Sequence, residues 1–137
     1  MTHRLERVVV AFERRVGYIG DLTTTGRRSG RLHSVTVGFV RDRDGSILVA
    51  AQRPGSAWAG NLGKDPRCVF TVRRSIRHLV ARELSGTERE AAIRRIRRRY
   101  AGDRRYGLGP AFRLCPTEPA TSPDGEPRSP AAVGTER

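Results

Sequence analysis

The sequence predicts a small antiparallel β-barrel of α+β class, and three observations carry that expectation. Its 137 residues give room for one core and one domain. Six short runs rich in β-branched and aromatic residues, at 18–25, 33–41, 46–51, 67–72, 76–84 and 111–115, are joined mostly by hairpin-length turns. Helical periodicity is confined to segments that flank or interrupt these runs.

Leu5, Val8, Val9, Phe12 and Val16 fall at helical spacing with Arg and Glu on the opposite side, so the chain opens on an amphipathic helix. Such a helix caps one end of the barrel or, being basic, lies on a membrane surface. Asp42-Arg43-Asp44-Gly45 forms a hairpin turn, with Gly45 free to take a positive φ. After the loop Gln52-Arg53-Pro54-Gly55, Ser56 caps a short helix that runs to about Gly63 and is ended by Asp65-Pro66. Arg73-Arg74-Ser75 is a tight basic turn. Ser85 and Glu88 have capping-box spacing and open a helix with Ile93, Ile96 and Tyr100 on one face. Beyond Pro116 the chain is rich in Pro, Ser, Thr, Glu and Gly. The folded domain is therefore expected to span 1–116, with a disordered tail over 117–137.

Composition narrows the function classes. The chain is 36% apolar and 30% charged, a globular balance, with a formal net charge of +13. Residues 116–137 hold four acidic side chains against two arginines, so the positive charge belongs to the rest. Lys64 is the lone lysine among 27 basic residues, a bias that can be compositional, so each arginine is judged by its neighbours. No apolar run approaches the ~18 residues of a membrane span and the N-terminus has no signal-peptide pattern, which predicts a cytoplasmic protein. Cys68 and Cys115 have neither metal nor redox spacing and read as small buried residues. Arg94, Arg95, Arg97, Arg98 and Arg99 raise a nucleic-acid-binding reading. They lie on a helix whose apolar face is already used, and aromatics, at 6%, do not interleave with them. The run reads as a solvated face, and nucleic acid is not an expected partner.

The chemistry concentrates in two places. In Leu22-Thr23-Thr24-Thr25-Gly26-Arg27-Arg28-Ser29-Gly30-Arg31, two glycines permit tight turns whose amides attract anions, and three arginines and a serine add donors suited to phosphate or carboxylate. Composition alone leaves open whether this is an anion cradle or a solvated basic turn. The second place is the strand end Ala50-Ala51, followed by Gln52 and Arg53. Small side chains there let a flat ring approach, and the next helix N-terminus offers a second anion seat. Trp58 and Asn61 fall on one face of that helix. Trp58 by itself would read as a core anchor.

These segments together resemble the deazaflavin-dependent nitroreductases, within the flavin/deazaflavin split β-barrel oxidoreductases. The likeness rests on LTTTGRRSGR, a strand, an Asp/Gly turn, ILVAA, Trp-x-x-Asn-Leu and NLGKDPRCVFTV, in the same order, over roughly residues 17 to 115. It implies an FMN-binding split-barrel-like fold that holds reduced coenzyme F-420, an 8-hydroxy-5-deazaflavin, and passes hydride to a small acceptor such as a quinone, enone or nitroaromatic. By the same resemblance Arg27, Arg28, Ser29, Gly30 and Arg31 lie near the cofactor's phosphate and polyglutamate tail. His33, Ser34, Val35, Thr36, Val37 and Gly38 match a strand whose backbone borders the deazaflavin. Ala50, Ala51, Gln52 and Arg53 match the small-residue strand end and its donors, and Trp58 and Asn61 the helix completing the pocket. Tyr106 matches a substrate-side tyrosine that would orient the acceptor or supply a proton. It sits in a linker with Gly102, Gly107 and Gly109 that reads as a flexible lid.

The sequence also departs from that pattern. His33 stands where relatives often have arginine, Thr36 where many have proline, and Asp103 at a place of one of their tyrosines. The loop from Gln52 to Trp58 is several residues short. No catalytic triad, metal cluster or paired-carboxylate site appears, as expected where a cofactor carries the chemistry. FMN or haem on the same barrel, and a cofactor carrier or sensor without turnover, stay open, as do a monomer or homodimer and a peripheral membrane contact through the first helix.

Overall fold

The computed structural model describes residues 19–117. The N-terminal helix, with its barrel-capping and membrane-surface readings, and the tail beyond residue 117 lie outside the described residues. The described strands are β1 (Ile19–Thr25), β2 (Leu32–Gly38), β3 (Val40–Arg41), β4 (Ile47–Ala50), β5 (Arg67–Val72), β6 (Ser75–Glu83) and β7 (Ala111–Pro116). Helix α1 (Ala57–Lys64) lies between β4 and β5, and α2 (Gly86–Arg99) between β6 and β7. The strands form one antiparallel sheet of order β2-β1-β5-β6-β7-β4-β3.

The run expected as one strand over 33–41 is two. Only Phe39 separates β2 from β3, yet these strands occupy opposite edges of the sheet. A single residue can join two edges only if the sheet curls to bring them together, so the sheet is a half-barrel split beside β2. The Phe39 ring, 1% exposed, fills the inside of the bend, edge-on to Phe70 with centroids 5.1 Å apart. Tyr100, at the end of α2, fixes the bend from the other side: its hydroxyl accepts from Phe39 N at 2.8 Å and donates to Phe39 O at 3.1 Å.

Two cores follow from the alternation of side chains along the strands. Leu22, Phe39, Ile47, Val49, Phe70, Leu79 and Leu114 fill the inside of the curl with α1 closing it through Ala59 and Leu62. Leu48, Ala50 and Ala111 point the other way and pack against Ala92, Ile93 and Ile96 of α2. Strand β4 is apolar throughout because both of its faces are covered.

Local signals held at the turns and failed at both helix caps, Ser56 being the N-cap of α1 without a side-chain cap bond. Gly45 takes φ 88° and donates to Asp42 O at 3.1 Å, as the hairpin requires. Helix α1 ends at Asp65, as Asp65-Pro66 predicts. Ser85 is the N-cap of α2 but makes no side-chain cap bond, so the capping box does not form. Glu88 instead takes Arg82 bidentately at 3.1 and 3.0 Å and Arg113 at 3.5 Å. Two guanidinium charges outcompete one neutral amide for the carboxylate.

The arginine run of α2 is not a uniform solvated face. Arg95 pairs with Asp42 at 3.3 Å, Arg97 donates to Tyr106 O at 2.8 Å, and Arg99 stands 5.1 Å over the Phe39 ring. Arg94 and Arg98 remain exposed. Of the cysteines Cys68 is buried, which pushes its thiol up to about 12, while Cys115 is half-buried. No helix among the described residues is long and apolar enough to cross a membrane.

Candidate active site

A groove of about 1150 Å³ opens along β2, bounded by the 26–29 loop, the start of α1, the end of β4 and the segment after α2. All six predicted β2 residues, His33, Ser34, Val35, Thr36, Val37 and Gly38, line it. The register sets Val35 opposite Leu22 and His33 opposite Thr24, so alternate side chains face inward. The side chains of Ser34 and Thr36 bond to Thr23 (2.6 Å) and Asp21 (3.1 Å) of β1. Because β2 is an edge strand, every second amide and carbonyl points away from β1. That edge is a row of donors and acceptors about 20 Å long, at roughly 3.3 Å per residue.

The loop at the start of β2 is closed by Gly26 N to Arg31 O at 2.7 Å and Gly30 N to Gly26 O at 2.9 Å. Arg27, Arg28 and Ser29 line the groove; Gly30 and Arg31, predicted with them, do not. Gly30, at φ 73°, carries the chain round, which leaves residues 30 and 31 on the outer limb. Arg27 lines the groove with its guanidinium engaged. Its Nη1 donates to Asn61 Oδ1 at 3.1 Å and to Ala57 O at 3.2 Å, so it lies against α1 over Gly60. A Cβ at Gly60 would stand 3.0 Å from that nitrogen. Asn61, 5% exposed, donates in turn to Thr24 Oγ1 at 3.0 Å. Arg28, by contrast, has no hydrogen-bond or ion-pair partner for its guanidinium among the described residues, and neither has Arg53.

Consecutive residues of a strand point to opposite faces, and this corrects the expectation for the β4 end. Ala50 lines the groove, whereas Ala51 is fully buried inside the curl. Gln52 and Arg53 both line it, and Gln52 Nε2 also donates to Asp103 Oδ2 at 3.2 Å. Trp58 serves two purposes: it packs on the core, 5.9 Å from Phe112, and it walls the groove.

Tyr106, only 6% exposed, lines the far end with Arg105 and Leu108. Its ring lies 5.8 Å from that of Tyr100. Both tyrosines press on Gly38, where a Cβ would come within 2.7 Å of the Tyr106 hydroxyl and 2.8 Å of Tyr100 Cζ. Glycine is needed there to let two rings reach the strand.

Residues 6–110 match the family model described as F420H(2)-dependent quinone reductase. The chain belongs to that family. Among solved structures, it is similar to the F420-H2 dependent reductase FDR-A, at 26% identity and TM-score 0.61, covering 71% of this chain and 93% of that one. A protein described as a domain-swapped dimer matches at 22% identity and TM-score 0.60, over 83% of this chain and 99% of its own. The heme storage protein HutZ of Vibrio cholerae shares the fold at 18% identity and TM-score 0.57, over 82% and 90%.

The protein is thus an F-420-dependent reductase on a split barrel, and coenzyme F-420 is its cofactor. The lining suits a flat ring with an anionic tail. Arg28, Arg53 and His33 supply cationic or polar donors, no carboxylate among the described residues lines the groove, and Ile19, Val37, Ala50, Trp58 and Leu108 supply apolar surface. The Tyr106 end of the groove is braced by Asp103, whose carboxyl is held below its ordinary value by Arg105 at 2.7 Å, then by the Arg105 amide.

Seven lining residues were not predicted: Ile19, Thr24, Gly26, Ser56, Ala57, Arg105 and Leu108. Gly26, Ser56 and Ala57 adjoin predicted positions, and Arg105 and Leu108 flank Tyr106, so proximity along the chain was the available signal. Thr24 lies in the LTTTGRRSGR run itself, and Ile19 carries no signal, since only the curl of the sheet brings it there.

Proposed function

We propose that this reductase holds reduced coenzyme F-420 along β2 and delivers its hydride to a small flat acceptor, a quinone in the first instance, with enones and nitroaromatics as further acceptors. The observation that supports this reading is the lining of the groove: Arg28 and Arg53, whose guanidinium groups have no partner among the described residues, beside the apolar surface of Trp58 and Ala50, and two tyrosine rings against Gly38. When bound, the cofactor supplies the hydride. Arg28, Arg53 and Ser29 hold its anionic tail, with Arg27 and Asn61 keeping the loop in place. The β2 edge orients the ring through backbone groups, and Trp58 and Ala50 exclude water beside it. Tyr106 Oη donates to the acceptor oxygen, which gains negative charge as hydride arrives.

The test is a fluorescence and absorbance titration with F-420, FMN and haemin, followed by oxidation of F-420H2 with menadione. Binding of F-420 well above FMN, with menadione-dependent loss of the reduced cofactor's absorbance, is the expected result. Preference for FMN would transfer the site to a flavin. A haem band would do the same for haem, with His33 as the only histidine lining the groove among the described residues. Tight F-420 binding with no oxidation by quinone, enone or nitro compound would make the protein a carrier.

A further inference from the structure

The wall that brings Arg105, Tyr106 and Leu108 to the groove belongs to no strand or helix. The sequence reads it as a glycine-loosened lid, but its backbone is held from behind by α2. Arg97 donates through Nε to Tyr106 O at 2.8 Å and through Nη2 to Arg104 O at 3.4 Å. Arg89 donates through Nη2 to Gly107 O at 3.1 Å and Gly109 O at 2.9 Å. Four carbonyls between residues 104 and 109 therefore end on two guanidinium groups. Gly107 makes room for this arrangement: it takes φ 122°, and a Cβ there would stand 2.7 Å from Arg97 Nη2. Neither arginine lines the groove.

We propose that Arg97, assisted by Arg89, is a positioning residue that sets the acceptor end of the groove by fixing the backbone of Tyr106, and so governs acceptor affinity without touching acceptor or cofactor. The inference rests on the reading of Tyr106 as the acceptor-side residue. A guanidinium suits the task because its planar fork presents several N–H donors in fixed directions, and so serves two divergent carbonyls at once. An ammonium on a flexible stem cannot hold both in the same geometry. The loop that carries Arg28 depends on different contacts, those of Asn61 with Arg27 and Thr24.

The experiment compares wild type with Arg97→Lys, Arg97→Ala and Arg89→Gln by three readouts. Amide hydrogen exchange of the ligand-free protein is expected to quicken tenfold or more over residues 103–109 in Arg97→Ala, with α1 and β1 unchanged. Menadione binding, followed by quenching of Trp58, the only tryptophan, is expected to weaken about tenfold, the scale of a small misplacement of a site wall. The KM for menadione should rise with it while kcat changes less and F-420 affinity stays within twofold. Arg97→Lys should recover part of the loss, and Arg89→Gln should give the same pattern at smaller amplitude. Unchanged exchange and menadione affinity in every variant would overturn the proposal. Equal losses of menadione and F-420 binding with faster exchange throughout would also overturn it, since Arg97 would then support the whole fold. If Arg97→Ala does not fold, Arg97→Lys and Arg89→Gln decide. Failure of the wild type to bind F-420, with the exchange pattern intact, would count against the proposed function and not against Arg97.

Discussion

The side-chain oxygen of Asn61 accepts two hydrogen bonds from one residue, Arg27, through its backbone amide and its Nη1, both at 3.1 Å. A helix residue thus fixes the loop that carries Arg28 into the groove, and it does so from a buried position. Asn61→Ala leaves the Thr24 hydroxyl and the Arg27 amide without their partner. It should lower unfolding free energy by about 1–3 kcal/mol, read by chemical denaturation, and should weaken F-420 binding although Asn61 need not touch the tail. Asn61→Asp keeps the acceptor for Arg27 and should fall between wild type and Asn61→Ala.

The guanidinium groups of Arg28 and Arg53 line the groove with no partner among the described residues. Replacing both with Ala should cost about 2–4 kcal/mol of F-420 affinity if each makes one charged hydrogen bond. The dependence of affinity on salt should flatten in the same variant. Arg31→Ala, on the outer limb of the loop, should leave both unchanged. An Arg31 effect larger than the double variant's would place the tail outside the groove.

Tyr106→Phe should lower turnover of menadione by ~10–1000-fold, the range for loss of one donor near a developing oxyanion. F-420 affinity should barely move. Stopped-flow loss of reduced-cofactor absorbance separates the two, and equal rates would remove the hydroxyl from the reaction.

Asp42 ties β3 to β7 and α2 through Arg113 at 2.7 Å and Arg95 at 3.3 Å. The Arg113 hydrogen bond, then the Arg43 amide, hold its carboxyl down at about 2, from an ordinary 3.8. A group with a depressed folded-state pKa stabilises the fold above its unfolded value. Its contribution is therefore present above pH 4 and fades as pH falls from about 4 to 2. Asp42→Asn should be less stable at neutral pH and show a flatter loss of melting temperature across that window.

Much of this was legible in the sequence because local chemistry decides it. The Asp42–Gly45 turn, the Asp65-Pro66 stop and the inward alternation of Cys68, Phe70 and Val72 need no distant partner to be read. Most of what stayed hidden shares one cause: the deciding partner is remote in sequence. Phe39 lies inside an unbroken β pattern, and only Tyr100 and the curl of the sheet show that the strand breaks there. Glu88 looks like a capping residue until Arg82 and Arg113 arrive beside it. The partner of Arg27 stays hidden until α1 supplies Asn61. Ala50 and Ala51 read as a pair, although strand geometry sends them to opposite sides.

The place of β7 in the sheet has a consequence for the order of folding. Strands β2, β1, β5 and β6 are neighbours in that order and can assemble without it, and β3 with β4 can form a separate hairpin. Among the described residues only β7 joins the two groups by strand pairing, beside one side-chain link from Arg77 Nη2 to Gly45 O at 2.7 Å, and β7 occupies residues Ala111–Pro116. During synthesis the curl therefore cannot close until almost the whole described chain has left the ribosome, and until then the apolar inner faces of both groups await their cover. Long-range closure of this kind is slow and leaves strand edges open to the wrong partner. A nascent chain stopped at residue 105 should be captured by chaperones and cut by protease, and one carried past residue 117 should resist both.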